Sequence, residues 1–236
     1  MKFIIYTSAL IGLFIIITLA YYFYFINLQD IARSALALVG TFFGATFAFR
    51  LNQSKESFQL HLKRRESLNR AIFILIRQYN AVHHLKNEFS AFSKPIEKAF
   101  KLRAVTPPPY QDLYHNFENI EFILESKNPH IIFDLSIEQE RFHQIMAAIN
   151  FRNEFFIKEV MPAAANADLD GKLLSARELQ EKLGDRIYYG AIQGVEEAEK
   201  ILILGNESLP KMLKSLRDFA KEQYPKHSFI NYEIPA

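Results

Sequence analysis

Ile31-Ala32-Arg33-Ser34-Ala35-Leu36-Ala37-Leu38-Val39-Gly40-Thr41-Phe42-Phe43-Gly44-Ala45-Thr46-Phe47-Ala48-Phe49-Arg50-Leu51 is the stretch whose reading decides the fold. A helix rises 1.5 Å per residue, so crossing a hydrocarbon core of roughly 30 Å takes about 20 apolar residues. Residues 31–51 meet that length, and their charges, Arg33 and Arg50, stand near the two ends, where long side chains reach toward water. Upstream, residues 3–29 carry no charge at all, which predicts a first span over about 3–28. Tyr21, Tyr22, Phe23, Tyr24 and Phe25 read as an interfacial aromatic belt at its far end, and Asn27-Leu28-Gln29-Asp30 as a tight polar turn. Residues 1–51 are therefore expected to form a two-helix transmembrane hairpin. A cleaved signal peptide fits less well, because the apolar region is too long and a second span follows at once.

Orientation follows from the basic residues near the spans. Arg50, Lys55, Lys63, Arg64, Arg65 and Arg70 follow the second span, whereas the intervening turn offers Arg33 beside Asp30. Both termini are thus expected in the cytoplasm, with this cluster serving as topological and headgroup contacts. Gly40, Gly44 and Ala48, at i, i+4 and i+8, put three small residues on one face and let another helix approach closely. Ser8 and Gly12 form a shorter surface of the same kind in the first span. The face suits either packing of the hairpin on itself or self-association. Neither span holds a charge in its middle, so one hairpin is a poor ion pathway.

The rest of the chain has ordinary soluble composition. Of 28 Lys and Arg and 26 Asp and Glu, three and one fall in residues 1–50, leaving 25 of each beyond. That neutrality argues against nucleic-acid binding through the summed field. The absence of cysteine excludes disulfides, thiolate nucleophiles and sulfur-ligated metals.

Leu68, Leu75, Val82 and Phe89 recur every seven residues, with Ile72, Tyr79, Leu85 and Phe92 adjoining. This predicts a juxtamembrane amphipathic stalk helix over 52–94, packing within its own chain in preference to a coiled-coil dimer. Beyond it, residues 95–224 are expected to form a helical bundle, with a tail over 225–236. A short helix is expected near 112–126. A second long helix should be capped by Ser136 and Gln139, carry Phe142, Ile145, Met146, Ile149, Phe156 and Val160, and stop before Pro162. A third, capped by Ser175 and Glu178, should carry Ile187, Ala191, Val195, Ala198 and Leu202 and end at Gly205, with Gly190 and Gly194 near its stripe. A last helix should begin near Ser208-Leu209-Pro210 and end before Pro225. No alternating run compels a strand, so the class is all-α.

Chemical motifs are sparse. Asn166, Asp168, Asp170 and Gly171 resemble the first half of an EF-hand loop, but Arg177 stands where a bidentate carboxylate is required. Glu140 and His143 have the spacing of a di-iron motif that should occur twice and occurs once. His83 and His84 point about 100° apart on a helix, and His61, His115, His130 and His227 lack acidic or histidine neighbours in sequence. Pro107-Pro108-Pro109-Tyr110 reads as a stiff connector and matches a short Pro-Pro-x-Tyr ligand. There is neither a nucleophile elbow nor a glycine-rich phosphate loop. No catalytic, cofactor-binding or metal site is expected.

The run from Leu38 to Arg50 passing straight into a charged helix and a helical domain resembles small bacterial two-transmembrane proteins, including two-span effectors of retron and abortive-infection anti-phage systems. The resemblance implies a bacterial inner-membrane protein with more than one span. On that footing the expected function is a non-enzymatic membrane effector with a cytoplasmic helical regulatory domain, perturbing the membrane in anti-phage defence. The alternative is a membrane-tethered scaffold or sensor that recruits a soluble protein. The expected partners are the lipid bilayer, further copies of the chain, and a soluble protein or ribonucleoprotein regulator, without direct nucleic-acid binding.

Overall fold

The computed structural model describes residues 12–19, 21, 28–105, 110, 113–169, 172 and 174–232. All regular structure among them is helical. Contacts divide the chain into two units, Met1–His61 and Leu62–Ala236, the division falling inside the stretch read from sequence as a stalk.

In the first unit, residues 12–19 are helical. Most of the expected span over 3–28, including Ser8 and the aromatic run from Tyr22 to Phe25, lies outside the described residues. Helix α1 (Leu28–Phe89) begins earlier than expected. Leu28, Gln29 and Asp30 are its first turn and not a polar connection; Asn27 lies outside the described residues. Asp30 suits that first turn because its carboxylate faces the positive end of the helix dipole. Among the described residues, α1 is the one helix long and apolar enough to cross a membrane. Its large apolar side chains in the first unit, Leu36 (75% exposed) and Phe47 among them, are left exposed by the described residues. The Thr41 hydroxyl donates to the Ala37 carbonyl at 2.8 Å, so its polarity is satisfied within the helix.

The second unit has its own core. The part of α1 within it buries Leu68, Ile72, Leu75, Tyr79, Val82 and Phe89, the positions expected from the heptad spacing. Because these residues fill the chain's own interior, they do not offer a seam to a second chain. Helix α2 (Pro95–Lys101) starts with a proline whose missing N–H costs nothing there. A 3-10 helix (Phe117–Glu125) follows, capped by the Asn116 side chain, which accepts from Asn119 N. Then come α3 (His130–Phe155), a π-helical turn (Phe156–Val160) and α4 (Met161–Asn166). Helix α5 (Ala176–Leu183) opens with the complete Ser175–Glu178 capping box and ends at Gly184, whose φ of 76° favours glycine. Helix α6 (Asp185–Gln223) packs most extensively on α3, and also on α2 and α5.

The helix expected from the Ser175 cap through Leu202 is broken at Gly184 into α5 and α6, and further boundaries also differ from the sequence reading. Helix α3 starts at His130, so Ser136 lies inside it, its hydroxyl donating to the Phe133 carbonyl at 2.7 Å, and Gln139 turns into the core. Pro162 does not stop the helix. The wider π turn carries the chain past it, with Met161 N donating to the Phe156 carbonyl, and Pro162 sits in the first turn of α4. The two expected helices on either side of Gly205 are one, with Pro210 inside α6. An interior proline costs about 3 kcal/mol, which the burial of Leu209, Met212 and Leu213 around it offsets. Gly205 is a packing residue, since a Cβ there would overlap the Ile145 side chain. Gly190 plays the same part against Phe155, 2.8 Å from where its Cβ would stand, whereas Gly194 faces open space.

Two buried cations fasten α2. Lys98 pairs with Glu199 of α6. Arg152 of α3 donates to the carbonyls of Lys98, Leu102 and Arg103, capping the end of α2, with its guanidinium over the Phe156 ring. Burial lowers the Arg152 pKa to about 10, which leaves it charged at neutral pH.

Candidate functional site

Lys63, Glu66, Ser67, Arg70, Ala71 and Ile74 recur at spacings of three and four, so they share one face of α1. Opposite them the segment entering the 3-10 helix supplies His115, Asn116, Asn119 and Ile120, and the two sides enclose a half-open cleft of about 180 Å³. The floor is apolar, from Ala71, Ile74 and Ile120, and the rim is polar.

Two glutamines set the geometry. Gln78 Nε2 donates to the Leu113 carbonyl at 2.9 Å and to Gln139 Oε1 at 3.2 Å, while His115 N donates to that same Oε1 at 3.0 Å. Residues 113–115 are thereby pinned between α1 and α3. The amide of Gln139 also donates to His143 Nε2 at 2.5 Å, and His143 stacks on Tyr114 with ring centroids 4.3 Å apart. His143 thus turns to these neighbours, and Glu140 is exposed.

His115 is 6% exposed, and neither ring nitrogen has a hydrogen-bond partner. Burial pushes its pKa down to about 4, so the ring is neutral at physiological pH, with one donor and one acceptor unused. An unpaired buried polar group costs about 1–3 kcal/mol. Lys63 and Arg70 are exposed and stand outside the ion pairs seen among the described residues, as does Glu66. With Glu66 ionised the cleft carries a net positive charge. The Ser67 hydroxyl donates to the Lys63 carbonyl at 2.9 Å, a helix back-bond that leaves it without an activating base. The arrangement suits binding an anion better than covalent chemistry.

The residues singled out from sequence separate into three groups. Gly40, Gly44 and Ala48 lie on the exposed part of α1, and among the described residues nothing comes within 4 Å of a Cβ built at Gly40 or Gly44. Arg50 and Lys55 are exposed there too. In the second unit, Arg64 stacks over Phe122 and approaches Glu125 at 3.7 Å, Arg65 donates to His227 Nδ1 at 3.2 Å, and Lys63 and Arg70 line the cleft. His83 bonds Asn206 at 3.2 Å, and His84 and His130 are exposed. Asp168 pairs with Lys172 at 2.5 Å, while Asp170 and Gly171 lie outside the described residues. Among the described residues no three His, Cys, Asp or Glu side chains converge as a metal site would require. Residues 106–109 also lie outside them, but Tyr110 packs edge-on against Phe142. Sequence reasoning passed over His115, because its cleft is made by residues some fifty positions away on α1. Compared with known proteins, the chain matches no protein-family model, no curated protein and no solved structure.

Proposed function

We propose that the chain is an inner-membrane effector, anchored through the apolar part of α1 and the segment before it, whose helical second unit is its cytoplasmic regulatory domain. The observation that carries this reading is the exposure of the large apolar side chains from Leu36 to Leu51, which the described residues leave unburied. Leaving so much apolar surface in water is unfavourable at about 25 cal/mol per Å², and a bilayer removes that cost. The basic residues beginning at Arg50 support a cytoplasmic second unit and, with the preceding apolar segment, a cytoplasmic N-terminus. The likeness to two-span anti-phage effectors supports membrane perturbation on release from a soluble protein or ribonucleoprotein regulator. Assembly through Gly40, Gly44 and Ala48 supplies what one hairpin lacks, an enclosed aqueous path.

The test is induced expression without a regulator, read with a potential-sensitive dye, beside Gly44→Leu. The chain should depolarise cells, and Gly44→Leu at normal abundance should cross-link as a monomer and fail to depolarise. Harmless expression with a stoichiometric soluble partner would replace this with the tethered scaffold or sensor, a reading favoured by the self-contained core and cleft of the second unit.

A further inference from the structure

We propose that the cleft between α1 and the His115–Ile120 segment binds a phosphoryl group, held by Lys63 and Arg70 and hydrogen-bonded by the His115 ring. This site goes beyond the membrane reading and does not rest on it, because every lining residue belongs to the second unit.

Three observations converge. Lys63 and Arg70 are two turns apart on one face of α1, both line the cleft, and neither makes an ion pair with Glu66 between them. A buried imidazole with both nitrogens idle lies across from them. The volume, about 180 Å³, falls below the roughly 300–1,000 Å³ of pockets that enclose whole small molecules. The space therefore takes a compact head, with the rest of the ligand outside. Charge selects an anion over a cation. Donors approaching from two sides, the two cations from α1 and the ring with the Asn116 and Asn119 amides from the other, suit the several oxygens of a phosphoryl group better than the two of a carboxylate.

Proton balance sharpens the assignment. The charged groups that line the cleft with His115 are Lys63, Glu66 and Arg70 of α1; α3 presents the neutral Gln139, and the segment itself presents two asparagines. With a phosphoryl dianion bound, protonation of the imidazole brings these charges to neutrality, whereas a carboxylate reaches neutrality with the imidazole uncharged. Phosphoryl binding should therefore take up a proton and strengthen as pH falls from about 8 toward the ligand's own second pKa of about 6, levelling off below it, where the free ligand already carries that proton.

The experiment uses the full chain in detergent or in phosphatidylcholine nanodiscs, titrated with inorganic phosphate, ATP and acetate, and separately in nanodiscs containing phosphatidic acid. Phosphate or ATP should raise the melting temperature of the wild-type chain, or phosphatidic acid should do so, and acetate should not. A response to the soluble anions assigns a soluble phosphate ester, and a response to phosphatidic acid alone assigns a lipid headgroup; both support the site. Arg70→Gln, at an exposed position, should weaken binding about tenfold, and Glu66→Gln, equally exposed, should strengthen it about threefold by removing a like charge. A purely structural role for these residues would not move affinity in opposite directions. The proposal is overturned if none of the three phosphates changes the wild type, if acetate matches phosphate, or if Arg70→Gln binds as well as the wild type. Membrane extraction of the same preparations reports on the anchoring claim separately, so the two can fail independently.

Discussion

Phe43 and Phe142 are the same side chain on two helices of one chain, yet Phe43 is 66% exposed and Phe142 1%. Phe43 stands in an uncharged apolar run and Phe142 in a mixed stretch beside Glu140, Arg141 and Gln144, so the more apolar surroundings belong to the exposed ring. What separates them is partners: Phe142 meets Tyr110, His143 and the shared core, whereas Phe43 lies edge-on to Phe42 outside the core. Apolar content states what must leave water, and burial shows whether the protein itself provides the refuge. Over residues 31–51 the described residues provide none, and on the proposed reading lipid supplies it.

Removing each ring should have very different effects. Phe142→Ala should destabilise the second unit by about 3–5 kcal/mol through lost transfer energy and the cavity left behind. Phe43→Ala should change its unfolding by less than about 0.5 kcal/mol. With no tryptophan in the chain, tyrosine near-UV circular dichroism of detergent-solubilised protein in denaturant follows the unfolding. Similar losses at both positions would contradict the account.

Acid should act on the second unit alone. His115 has a folded pKa of about 4 against an ordinary value of 6.5. The stability it contributes as a neutral group is fully present above 6.5 and is lost as pH falls through that value toward 4, amounting to about 3 kcal/mol. His115→Asn, measured in phosphate-free buffer, should flatten that part of the pH profile. An unchanged profile would mean that the ring is solvated.

The two kinds of glycine give the smallest contrast. Gly205→Ala should cost about 1–2 kcal/mol, the overlap with Ile145 outweighing the better helix propensity of alanine. Gly44→Ala meets nothing within 4 Å among the described residues and should leave the stability of the second unit unchanged.

The same contrasts explain what the sequence could and could not reveal. The buried stripe of Leu68, Leu75 and Val82 was legible because periodicity is a property of the helix itself, and the Ser175 cap because both partners lie within one turn. Gly205 was misread as a helix stop, since a glycine that ends a helix and one that admits a neighbour look alike until Ile145 is in place. Pro162 and Pro210 were misread for a related reason: a local break in hydrogen bonding is overridden by packing contributed from other helices. The cleft was least legible. Lys63 and Arg70 looked like part of a basic run, His115 looked isolated, and only the glutamine clamp between α1 and α3 brings them together.

On the proposed reading, lipid and not protein buries residues 31–51. Alkaline carbonate extraction of membranes from cells making the full chain tests it most directly. The account predicts that the chain stays in the membrane pellet while a Phe43→Asp variant, which sets a charge worth about 2.5–3.5 kcal/mol against insertion at the middle of the stretch, shifts measurably to the supernatant. Complete release of the unaltered chain would contradict it.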